Sequence, residues 1–420
     1  MALLIQGALL PEGVRDVLIQ DGRFAAIAPQ LEVAECEVLD ARGLALLPSF
    51  SNAHTHAAMT LLRGYADDME LYSWLSSKIW PFEAHLTPED VYWGAKLACL
   101  EMLKTGTTFF VDMYWHPRAT VRAALEMGMR AAVCGAFFDF GDPKRAESMR
   151  QQVRELYAIS RDDPDHVQFV VGAHAIYSVS RDSLVWLSHF AQDHGLKLHL
   201  HLSETRKEVE DCLREHGLRP VQYLHQLGVL GPHVVAAHGV WLEPAERELL
   251  AAHGVGIVHN PVSNMKLASG ALDYGALRRA GVRVALGTDG CASNNTLDMR
   301  QEMRIASLLA KLQSLDPCAL PAAEALEMAT ASGAALFGLD AGRIAVGALA
   351  DAVLVDLRCP SMTPVHHLVS NWVYSGGAVV HVLCGGRVVV RHSRVEGEEE
   401  ILAQAQRCAQ RLREQAACRP

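Results

Sequence analysis

No C-x-x-C pair occurs among the ten cysteines, which are scattered over 420 residues. That excludes a zinc ribbon and argues against a disulfide framework; the cysteines read as buried or free thiols in a reducing cytoplasm. No run reaches the ~18 uncharged apolar residues a membrane-spanning helix needs. The opening MALLIQGALLPEGVRD lacks a basic stretch and is broken by Gly7 and Pro11, so it reads as neither signal nor anchor. Positive charge is in deficit: 38 Lys and Arg against 48 Asp and Glu give −10. That argues against nucleic acid or an anionic membrane as partner. No internal repeat recurs at a fixed period. Half the chain is hydrophobic and 20% is charged, which excludes bulk disorder. A soluble cytoplasmic protein is expected.

Histidine, by contrast, is plentiful, at 20 residues. The chain between residues 48 and 343 alternates apolar strand-like runs with helical patterns that often end at Gly. Eight such runs predict a distorted (β/α)8 TIM barrel. Both ends are β-rich instead. Residues 1–47 carry a hairpin signal at Asp21-Gly22, and 344–395 carry one at Gly385-Gly386. The two ends are expected to meet as one small β-sandwich domain. Residues 396–420 read as an amphipathic helix with Glu early and Arg late, as its dipole favours.

Chemistry in such barrels sits at the C-terminal ends of the strands. There the first strand carries His54-Thr55-His56, whose two imidazoles share one face. The fifth carries His199, His201 and, just past its end, Glu204. The sixth ends at Ala237-His238-Gly239 and the eighth at Thr288-Asp289-Gly290. Taken singly, each has a plainer reading: a buried core histidine, a helix cap at Ser203-Glu204-Thr205, a turn at Asp-Gly. Together they suit one borderline divalent cation bound by His54, His56, His201 and Asp289, with His238 and Glu204 left for proton work. Zinc fits best, and iron fits the same donors. Such an ion lowers the pKa of bound water to about 7.

These blocks resemble the amidohydrolase superfamily. More narrowly, they resemble the methylthioadenosine/S-adenosylhomocysteine deaminase branch of its chlorotriazine hydrolase/deaminase group. The matching text is SNAHTHAAMTLLRGYADDMELYSWL, EMLKTGTTFFVDMY, LHLHLSET, VVAAHGVWL, VHNPVSNMKLASG and LGTDGCASNNTLDM. The resemblance implies a single metal ion, and hydrolytic removal of ammonia from an adenine nucleoside. In that reaction Glu204 is the general acid at the ring nitrogen, and His238 and Asp289 carry the proton from water to the leaving amine. The strand-four text VVGAHAIY has no lysine for a second ion.

Residues 63–85 form a long segment over the barrel mouth, with Tyr72, Trp74 and Trp80 able to cover an apolar substituent. By resemblance, Glu83 accepts the ribose hydroxyls, His174 contacts the nucleoside, Trp74 lines the pocket and Ser293 lies near the substrate. The arginine that commonly follows strand three is absent: Cys134 and Gly135 stand there, with Lys144 and Arg145 only after a loop. That favours adenosine, 5′-deoxyadenosine or methylthioadenosine over S-adenosylhomocysteine. Two other readings stand beside this one. The first is a hydrolase of another heteroaromatic: guanine, 8-oxoguanine, a pterin or a chlorotriazine. The second is an inactive binding protein on the same scaffold, against which the intact ligand set argues. A homo-oligomer is compatible with such barrels.

Overall fold

The computed structural model describes residues 2–159 and 166–417. Its strands run in chain order: β1 (Leu3–Leu10), β2 (Gly13–Gln20), β3 (Arg23–Ala28), β4 (Glu37–Asp40), β5 (Leu44–Pro48), β6 (Phe50–Thr55), β7 (Thr107–Tyr114), β8 (Arg130–Gly135), β9 (Val167–Phe169), β10 (Val171–Ala175), β11 (Leu198–Leu202), β12 (Val234–His238), β13 (Gly256–His259), β14 (Arg283–Leu286), β15 (Ala352–Asp356), β16 (Ala378–Cys384) and β17 (Arg387–Val390).

Strands β6 to β14 form the barrel as two parallel arcs, β6-β7-β8-β9 and β10-β11-β12-β13-β14. They occupy eight positions, because β9 and β10 are one strand interrupted at Val170, whose N–H donates to the Val133 carbonyl (3.0 Å). The strands are apolar on both faces, as helix-covered parallel sheets require; all eight residues of β7, TTFFVDMY, are buried. The helix Pro88–Thr105 shows how the covering helices are delimited. Thr87 and Asp90 make a capping box, Pro88 opens the first turn, and Gly106 ends it at φ 101°. The last strand meets the first through Gly287. A β-carbon there would lie 2.8 Å from the His54 backbone and 2.6 Å from Asn260 Oδ1, so the close approach needs glycine.

The chain ends share one eight-stranded sheet of order β17-β16-β15-β5-β1-β2-β3, with β4 on β1. Antiparallel pairing of β15 with β5, from Ala352↔Pro48 to Asp356↔Leu44, joins the two ends. The sheet folds around Ile5, Phe24, Leu46 and Leu354, all fully buried. Its far edge returns to residues 347–350, where the Phe24 N–H donates to the Ala348 carbonyl (3.0 Å). Both expected hairpin turns are present, with positive φ at Asp21, Gly22, Gly385 and Gly386. A buried ion pair, Arg130 to Asp351 (2.5 Å), ties this sheet to barrel strand β8.

Ser49 divides the end sheet from the barrel, with β5 entering the one and β6 the other. One sequence expectation is corrected. The terminal helix Glu398–Ala417 does begin with three glutamates but has no basic residue in its last turn. Arg411 instead pairs with Asp90 on the helix Pro88–Thr105. The nine cysteines among the described residues are all free, and Cys418 lies outside them. No described helix is long and apolar enough to cross a membrane.

Candidate active site

Strand direction and register gather the candidate donors in two overlapping groups that share His54. His54 sits in two clusters whose ligand atoms lie within 4.8 Å of each other, one with His56 and Asp289 and one with His201 and His238. Asp289 Oδ1 lies 3.1 Å from His56 Nε2 and 3.5 Å from His54 Nε2. Each imidazole is aimed by its other nitrogen. His56 Nδ1 donates to the Met113 carbonyl (2.6 Å) and His201 Nδ1 to the His174 carbonyl (2.7 Å). His54 Nδ1 bonds His199 Nε2 (2.8 Å). The Nε2 atoms thus converge, and that of His54 is buried without a hydrogen-bond partner.

An orphaned buried nitrogen among imidazoles and a carboxylate is what a divalent cation would satisfy. Nitrogen and oxygen donors without thiolate fit zinc or another first-row metal. Burial lowers His54 to about 4, so it is neutral and able to ligate. Burial also opposes charge on His56, but contact with Asp289 raises it to about 9, so a cation there displaces a proton. Two Ser hydroxyls, Ser263 (2.6 Å) and Ser293 (2.9 Å), donate to Asp289 Oδ2 and leave Oδ1 facing the histidines.

The backbone is strained where the site residues stand. His238 (φ 75°) and Asp289 (φ 60°) both adopt left-handed conformations at their strand ends. Beside them Glu204 is buried, not a surface cap; Thr205 caps the following helix in its place. Burial and the nearby Asp289 charge raise Glu204 to about 8. Glu208 aims it by accepting the Ser203 and Glu204 N–H groups, both at 2.8 Å. His238 Nε2 lies 3.7 Å from Glu204 Oε2. Burial lowers His238 to about 4, and Asn264 Nδ2 stands 2.9 Å from its Nδ1. With Asn264 donating, the neutral ring carries its proton on Nε2, towards the site.

These groups open into a cavity of about 560 Å³. His56, Trp74, Glu83, His174, His201, Glu204, His238, Asp289 and Ser293 all line it; His54 lies beneath. Glu83 is buried and its carboxyl is pushed up by that burial. Its Oε2 accepts from Trp115 Nε1 (3.1 Å), while Oε1 has no partner. His174 Nδ1 bonds Ser178 Oγ (2.7 Å). Trp74 is held by its indole N–H on the Ala66 carbonyl (2.9 Å) and also packs in the wall. Tyr72 is more than half exposed and does not line the cavity.

The amidohydrolase family model matches residues 45–389. The chain belongs to the amidohydrolase family. It is 49% identical to a 5-methylthioadenosine/S-adenosylhomocysteine deaminase of Archaeoglobus fulgidus, over 98% of this chain and 99% of the relative. It is also 49% identical to a 5′-deoxyadenosine deaminase of Methanoregula boonei, over 89% of this chain and 86% of the relative. A zinc-bound adenosine deaminase structure from Xanthomonas campestris superposes with a TM-score of 0.92 at 36% identity, covering 98% of both chains.

Within this amidohydrolase the sequence reading missed several residues. Ser263 and Asn264 lie in VHNPVSNMKLASG, a block quoted above to which no role was attached. Trp115 and Glu208 carried no signal, because their partners Glu83 and the β11 end are found only in space. Arg145 is a correction. The loop after β8 folds back, and Arg145 lines the cavity with its guanidinium 4.7 Å from the Phe138 ring centre. The loop between them did not keep an arginine from the pocket.

Proposed function

We propose that this protein hydrolytically deaminates adenine nucleosides, giving the inosine analogue and ammonia, around one divalent ion held by His54, His56, His201 and Asp289. Zinc is the ion we favour, given the donor set and the zinc bound in the Xanthomonas relative. The names of the relatives at 49% identity support the nucleoside class. The observation that carries the reading is a buried glutamic acid, raised to about 8, at the floor of an aromatic-walled cavity.

The ion, when bound, supplies water activated for attack near neutral pH. The remaining work falls to side chains. Glu204, protonated at neutral pH, gives its proton to the ring nitrogen beside the amine-bearing carbon. Asp289 accepts one proton of the water and delivers it to the departing amine; the other, released as the ring carbonyl forms, restores Glu204. His238, 3.7 Å from Glu204 and held at Nδ1 by Asn264, works with Asp289 in moving the proton passed to the amine. Glu83 offers Oε1 to a ribose hydroxyl while Trp115 holds Oε2. His174 and Trp74 bound the base, and Ser293 steadies Asp289.

Arg145 at the cavity keeps S-adenosylhomocysteine among the candidate substrates, so the preference for smaller nucleosides loses its basis. We place the protein in the cytoplasm, in keeping with its free thiols. A deamination panel on the zinc-loaded protein tests the reading: adenosine, 5′-deoxyadenosine, methylthioadenosine, S-adenosylhomocysteine, guanine, 8-oxoguanine, a pterin and a chlorotriazine. Ammonia release from an adenine nucleoside with the highest kcat/KM is expected. A higher value for any of the last four would overturn it.

A further inference from the structure

Strand β11 points two histidines into the barrel. His201 is at the rim, and His199 lies one layer deeper, fully buried beside Phe337 (ring centres 6.1 Å apart). The deeper one is fully hydrogen-bonded. Its Nδ1 lies 2.8 Å from the Val235 carbonyl on β12, which can only accept. That nitrogen therefore carries the ring proton. Among the described residues no carboxylate is bonded to the ring, and its two nitrogens are taken up by the Val235 carbonyl and the His54 imidazole. Its Nε2 is then a bare lone pair, 2.8 Å from His54 Nδ1 on β6. His54 must donate to it, which leaves His54 Nε2 unprotonated and facing Asp289.

We propose that His199 is a positioning residue for the metal: it fixes the tautomer and ring plane of His54 and thereby sets how tightly the ion is held. The proposal rests on the reading of His54 as a ligand. The other two histidine ligands are aimed by main-chain carbonyls, of Met113 and His174. Substitution cannot remove those acceptors. Among the three, His54 alone depends on a side chain. The relay from Val235 through His199 to His54 also spans the barrel interior, joining β12, β11 and β6.

If His199 merely filled space, an apolar side chain would serve as well. His199→Leu and His199→Gln separate the two roles, since glutamine Oε1 reaches the place of Nε2 and accepts from His54. The full chain is stripped of metal, and Zn²⁺ affinity is read by competition with a chromophoric chelator. Co²⁺ absorption reports ligand geometry, and thermal midpoints of the stripped proteins report folding. His199→Leu is expected to weaken Zn²⁺ binding about 10- to 100-fold and alter the Co²⁺ bands, as loss of such a support does. His199→Gln should stay within about threefold of wild type. Should His199→Leu not fold, the unbranched His199→Met takes its place with the same expectation. Equal weakening in the leucine and glutamine variants, or wild-type affinity in the folded leucine variant, would overturn the proposal. Failure of the wild type to bind one zinc would instead overturn the reading of the metal site.

Discussion

Glu204 is the most informative residue to perturb. Its carboxyl is raised to about 8 by burial and by the Asp289 charge. At pH 7 about nine molecules in ten then hold the proton that the ring nitrogen needs, whereas at an ordinary carboxyl pKa about one in three hundred would. The sign follows from the role: the acid form is active, so kcat/KM falls as pH rises through the folded value, about tenfold per unit above it. A bound cation pulls that value down, so the limb lies at pH 8 or below. His238, lowered to about 4, stays neutral throughout and adds no limb there. Glu302 is also buried and raised to about 8, but it bonds Asn294 and does not line the cavity. The assay is ammonia release from adenosine at pH 6–10 for wild type, Glu204→Gln and Glu302→Gln. Glu204→Gln should lose about 10²- to 10⁴-fold at pH 7 and show no alkaline limb, while Glu302→Gln keeps the limb. A Glu204→Gln enzyme with a tenth of wild-type activity, or with the same limb, would refute the assignment.

Three further outcomes are expected. Glu83→Ala removes a charged acceptor worth about 1.5–3 kcal/mol, so kcat/KM for adenosine should fall roughly 10- to 150-fold with metal content unchanged by atomic absorption. Arg145→Met should lower kcat/KM for S-adenosylhomocysteine, which carries a carboxylate, and leave that for 5′-deoxyadenosine within about threefold; equal losses would show that Arg145 only packs on Phe138. Arg130→Met strands the buried Asp351 carboxylate beneath the end sheet, and urea unfolding should show a loss of about 3 kcal/mol.

Much of the site was legible because its candidate ligands sit on strands or just past their ends. His54 lies on β6 and His56 one residue beyond it, so their spacing of two carries the pleat across the strand end. His201, Glu204, His238 and Asp289 fall at strand ends, where barrel topology gathers them. Hairpins at Asp21-Gly22 and Gly385-Gly386 were legible because few residues tolerate positive φ at both turn positions. The support of the site was not legible. Trp115 touches Glu83 across 32 residues and Ser263 touches Asp289 across 26. No local rule encodes such distances.

The sequence by itself determined the barrel and the joining of both chain ends, and it singled out the candidate metal ligands, since periodicity and strand-end position are local properties. Tertiary structure alone decided two things. Arg145 returned to the cavity, because loop path is set by packing on Phe138 and Phe140. And the Nδ1 atoms of His54 and His238 met different partners: the imidazole of His199 for one ring and the side-chain amide of Asn264 for the other. An imidazole's tautomer belongs to its hydrogen-bond partners, and those are chosen by the fold.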